Sequence, residues 1–95
     1  MQRPTPRRPL MKFDLSQFST DLKVSAGKLL AKVAQAQSRE QIEREGFIAL
    51  GFVLGLETAK YLRPIDIEGL NLMFEEAVET RLKALEAGAS DADRQ

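Results

Sequence analysis

The sequence predicts an all-α fold: a small three-helix domain with a helix 2–helix 3 hairpin and disordered termini. Three observations carry that expectation. Apolar residues recur at steps of three and four through most of the chain, the spacing that lines one side of a helix. Capping residues stand before two of these runs, with a glutamine three positions on. No alternating apolar–polar stretch of strand length occurs, and the connections are too short for crossovers. Ninety-five residues allow one domain, expected over 13–88.

Residues 1–12 hold three of the four prolines and four basic residues. Proline removes a backbone donor and restricts the residue before it, so a disordered proline/arginine-rich arm is expected there. Met11 is an alternative start, and no apolar stretch follows the arginines as a secretory signal would require. The small, polar residues 89–95 are expected to form a disordered tail.

Helix 1 is predicted over about 14–36. Asp14 is a good N-cap, Gln17 completes a capping box, and Leu15, Phe18, Leu22, Ala26, Leu29, Val33 and Ala36 form the stripe. Gly27 weakens this helix by roughly 1 kcal/mol relative to alanine. Helix 2, about 39–62, opens on Ser38 with Gln41 reaching back, and Pro64 is expected to stop it. Helix 3, about 66–87, has Asp66 as its predicted N-cap and Gly88 as its predicted C′ stop. Ile67, Leu70, Phe74, Ala77, Val78, Leu82 and Leu85 form its buried side.

Helix 2 is the unusual element. From Phe47 to Leu56 there is no polar side chain. Phe47, Leu50, Leu54 and Tyr61 would form one face, Ile48, Phe52, Gly55, Ala59 and Leu62 another, with Val53 and Leu56 between them. A surface helix buries only about a third of its circumference. Two neighbouring helices cannot cover this one, so either the N-terminal segment of the same chain folds over it or, as is favoured here, part of it meets a second chain. The apolar run is too short for a membrane span, which needs about 20 residues. Gly51, Gly55 and Ala59 recur every fourth residue, a spacing that permits close helix packing without saying against what. Phe47, Leu50, Leu54 and Tyr61 are the expected partner-binding residues, with Glu57 at their rim.

Fourteen basic and fourteen acidic residues cancel, but not locally: the chain up to Arg39 carries +6 and the remainder −6. Either the two halves complement each other within the fold, or an acidic surface awaits a basic partner. A major-groove role for helix 3 is disfavoured, because it carries glutamates and offers only Arg81 and Lys83. A weak nucleic-acid binder using Arg3, Arg7, Arg8, Lys28 and Lys32 is a remaining alternative.

Chemistry is poorly provided for. Without cysteine or histidine the chain has no thiolate nucleophile, no cysteine-type zinc site and no imidazole base. Glu75, Glu76 and Glu79 read as a solvated acidic side, since a di-iron helix pair would require Glu-x-x-His. Ser16, Ser19, Thr20 and Ser25 have no base in a recognisable arrangement. No enzyme activity, cofactor or metal is expected.

The basic first helix, EGFIALGFVLGLETAKYL in the second and RPIDIEGLNLMFEEAVETRL in the third resemble quorum-sensing antiactivators of rhizobial integrative and conjugative elements, the QseM type. The resemblance covers roughly 11–85. It implies a non-enzymatic cytoplasmic protein that sequesters a LuxR-type transcriptional activator and so represses transfer of a mobile element. The alternative is a helical homodimeric assembly module.

Overall fold

A computed structural model describes the backbone of residues 15–94 and the side chains of residues 15–88. It contains α1 (Thr20–Gln35), α2 (Arg39–Thr58) and α3 (Pro64–Arg94), with no strand among the described residues. α2 and α3 share the most extensive contact and form the predicted hairpin, while α1 packs on both. The fold is a small all-α three-helix domain.

α1 starts later than its sequence suggests. Ser19, extended at φ −62° and ψ 158°, is the N-cap, and its Oγ accepts from the Leu22 N–H at 3.2 Å. Asp14, the predicted cap, lies outside the described residues. The predicted capping box of Asp14 with Gln17 falls outside them as well, and Gln17 Nε2 donates to Asp66 Oδ1 at 3.4 Å. Residues 15–18 form a turn closed by the Phe18 N–H on the Leu15 carbonyl at 3.0 Å. Leu15 and Phe18 still pack on the core, but from this turn rather than from a helical stripe. At the other end Arg81 Nε donates to the Ala36 carbonyl at 2.8 Å, satisfying an orphan acceptor of α1.

α2 begins as predicted. Ser38 Oγ accepts from the Gln41 N–H at 3.1 Å, and Gln41 Oε1 accepts from the Gln37 N–H at 3.0 Å. Its end differs. Pro64 does not stop it, because Lys60 turns left-handed at φ 55° four residues earlier. The Tyr61 N–H reaches back to the Leu56 carbonyl and the Lys60 N–H to that of Glu57, both at 3.0 Å. This is a Schellman motif with lysine where glycine is usual. Lys60→Gly should therefore raise the unfolding free energy by about 0.5–1 kcal/mol, read by urea denaturation, since only a side chain strained at positive φ is removed. A loss of stability would mean that the lysine side chain contributes more than its backbone strain costs.

Pro64 instead opens α3. The missing N–H is harmless in the first turn, and the Arg63 carbonyl accepts from Asp66 and Ile67 at 2.9 and 3.0 Å. Asp66 is thus not the N-cap but a first-turn residue. It is buried, and its carboxylate accepts from Arg63 Nε at 3.0 Å and from the guanidinium Nη2 at 3.3 Å. The Arg63 hydrogen bonds hold its carboxyl below the ordinary 3.8, outweighing burial, which acts the other way. A carboxyl lowered by folding stabilises the fold above 3.8, and that contribution is lost as pH falls through its folded value. Melting temperature should accordingly fall more steeply below about pH 4 in the wild type than in Asp66→Asn. Parallel acid profiles for the two proteins would refute the linkage.

Gly88 does not stop α3, which continues to Arg94; no described glycine adopts positive φ. Glycine terminates a helix only when its left-handed conformation is used, and the alanine-rich surroundings favour continuation.

The core brings Ala26 of α1, Ala49 and Val53 of α2, and Ile67, Leu70 and Phe74 of α3 into one cluster. Phe52 stands edge-on to Phe74, with ring centroids 6.4 Å apart. Leu22, Val33, Ala36 and Ile42 complete the buried set.

Candidate protein-interaction surface

α2 is covered on one side only. Ile42, Ala49 and Val53 face the core, flanked by half-buried Phe52 and Leu56. The opposite side remains in water: Phe47 is 72% exposed, Leu54 51%, Ile48 49% and Leu50 45%. Each such side chain would contribute about 1.5–3 kcal/mol if fully buried, so this exposed set is a candidate binding surface.

Of the residues expected to contact a partner, Phe47, Leu50 and Leu54 share this side, and Glu57 is exposed near its C-terminal end. Tyr61 is exposed but follows the left-handed Lys60, so it no longer continues the helical row. Its placement on that row assumed a helix running to Leu62.

Gly51, Gly55 and Ala59 are all exposed. A Cβ at either glycine would meet no heavy atom within 4 Å, so their spacing serves no packing within the described chain. The glycine at a close approach is Gly46, where a Cβ would lie 3.2 Å from Val78 Cγ2 of α3. A signal for it existed: Ile42, Gly46, Ala49 and Val53 form a four–three–four row with small residues at its centre.

Beside this approach, α2 and α3 leave a groove of about 680 Å³. Phe47, Leu50, Phe74, Val78 and Leu82 line it over Gly46, and Glu43, Glu75 and Glu79 contribute carboxylates. Asn71 and Glu75 also line a second groove, again about 680 Å³, nearer the hairpin turn, with Glu57, Lys60 and Glu68. Val78 and Leu82, expected to be buried, are only half-buried because they border this groove.

The opposite charges of the two chain halves are not cancelled by contact. Lys23, Lys28 and Lys32 of α1 form no ion pair among the described residues. One exposed pair links the halves between helices, Arg39 to Glu86 at 3.2 Å; Arg39 also meets Glu43 at 3.4 Å. Of the two cations expected of helix 3 as a phosphate-backbone reader, Arg81 is committed to Ala36 and Lys83 lies 3.8 Å from Glu79. Among the described residues no group of three acidic side chains could hold a metal ion, and no helix is long and apolar enough to cross a membrane.

Comparison with protein-family models, curated proteins and solved structures finds no match. The functional reading therefore rests on the surface itself.

Proposed function

We propose that this protein is a small non-enzymatic regulator that sequesters a protein partner through the outward side of α2. The observation carrying this reading is the contiguous exposure of Phe47, Ile48, Leu50 and Leu54 on a helix whose other side is packed. The lack of cysteine and histidine agrees with a binding role, since the commonest nucleophile–base and metal chemistries need them. Following the resemblance over residues 11–85, the partner is a LuxR-type transcriptional activator, the chain acts in the cytoplasm, and its sequestration represses transfer of a mobile element. Two glycines sit on the exposed side of α2 where no neighbour among the described residues requires them. They would let a partner backbone approach closely.

Affinity capture with wild-type and Phe47→Ala baits, read by mass spectrometry, tests the proposal. A transcriptional activator should be recovered with the wild type. Aromatic anchors contribute over about 1 kcal/mol, so its affinity for the variant should fall about fivefold or more with the circular dichroism spectrum unchanged. Equal recovery by both baits would remove α2 from the interface. Recovery of the chain alone would favour the homodimeric assembly module.

A further inference from the structure

The charge around the α2–α3 groove narrows the kind of partner. We propose that this groove binds a basic amphipathic helix of another protein, an inference that deepens the interaction reading above and rests on it.

The lining of the groove is apolar, with Phe47 and Leu50 from α2 and Phe74, Val78 and Leu82 from α3. Carboxylates come from both helices: Glu43 from α2, Glu75 and Glu79 from α3. Glu43 and Glu79 sit in exposed pairs with Arg39 at 3.4 Å and Lys83 at 3.8 Å, whereas Glu75 has no ion-pair partner among the described residues, and the second groove adds Glu57 and Glu68 against a single lining cation, Lys60. An occupant must therefore offer apolar groups flanked by positive charge.

Its shape follows from the walls. No sheet edge is present among the described residues to template an added strand, whereas two adjacent helices present a groove for a third. The two grooves share Asn71 and Glu75 and together follow α3 from Ile67 in the second to Leu82 in the first, a rise of about 22 Å with room for a helix of about 15 residues. α1 does not fill this place, because it meets α3 on another side, where Leu30 and Ala34 approach Met73, Ala77 and Arg81.

A second copy docking groove to groove is a poor occupant. Two-fold pairing would set Glu43, Glu75 and Glu79 against the same acidic surface, where like charges repel. A basic helix turns the same carboxylates into attraction, and its apolar stripe covers Phe47 and Leu50.

The test uses the full chain and two designed helical peptides of about 15 residues. Both carry one leucine stripe at helical spacing; one has lysines beside the stripe and the other glutamates. Fluorescence anisotropy should show the lysine peptide binding at least about tenfold tighter, with affinity falling as salt rises. Phe47→Ala should weaken it about tenfold, and combined Glu75→Lys and Glu79→Lys should reverse the preference between peptides. Equal binding of both peptides, still lost on Phe47→Ala, would overturn the basic-helix inference while leaving a partner site on α2. Binding indifferent to Phe47→Ala would overturn both readings. Failure of the wild type to bind either peptide overturns the inference. In that case a sedimentation dimer dispersed by Phe47→Ala assigns the groove to a second copy. A tenfold gain on removing residues 1–12 assigns it to the chain's own arm and overturns the inference as well.

Discussion

Leu70→Ala should lower the unfolding free energy by about 2–5 kcal/mol, the range for deleting a fully buried leucine side chain. Leu70 is 0% exposed in the cluster with Ala26, Ala49 and Val53, where the helices converge. The loss combines the transfer free energy of the deleted carbons with the cavity left behind. At about 4–8 °C per kcal/mol for a domain of this size, the melting temperature should fall by roughly 8–40 °C. Leu72, two residues along the same helix, is 53% exposed, and its replacement by alanine should have a much smaller effect. Thermal and urea denaturation of both variants gives the comparison. A loss below about 1 kcal/mol for Leu70→Ala would mean that this core is not closed around it.

The second large effect is expected at Gly46. Gly46→Leu would place a branched side chain where even a Cβ lies 3.2 Å from Val78 Cγ2. Forcing α2 and α3 apart should cost about 1–3 kcal/mol, more than the helix propensity gained by losing glycine. Gly51→Ala on the same helix should do the opposite. Its new Cβ would meet nothing within 4 Å, so the helix gains about 0.5–1 kcal/mol in propensity and loses no contact. Urea titration of the two variants should thus give midpoints shifted in opposite directions. Stabilisation by Gly46→Leu would show that the helices can separate there without loss.

Helix identity was legible because periodicity depends on only one neighbour relation, apolar against water. Leu22, Ala26, Val33 and Ala36 were assigned to a buried stripe and are buried, as are Ile67, Leu70 and Phe74. The ends were less legible, since several local signals compete. Ser19 displaced Asp14 as the cap of α1, Lys60 ended α2 before Pro64 could, and Gly88 ended nothing. At the end of α2 the outcome turned on the Lys60 and Tyr61 N–H groups finding carbonyl partners in the last turn. For the interaction surface, Phe47, Leu50 and Leu54 could be named from apolar excess alone. The carboxylates of Glu43, Glu75 and Glu79 could not be joined into one groove, because they come from two helices whose relative rotation no local pattern encodes.

The sequence by itself determined that the chain forms helices, that it has no cysteine or histidine, and that α2 carries more apolar surface than a small bundle can hide. These are properties of composition and spacing, and they hold whichever way the helices pack. Tertiary structure decided which side of α2 stays wet, which glycine admits a neighbour, and where the acidic charge gathers. Glycine at 46 and glycine at 51 are chemically identical and five residues apart on one helix. Only the position of α3 makes the first a packing contact and leaves the second facing water.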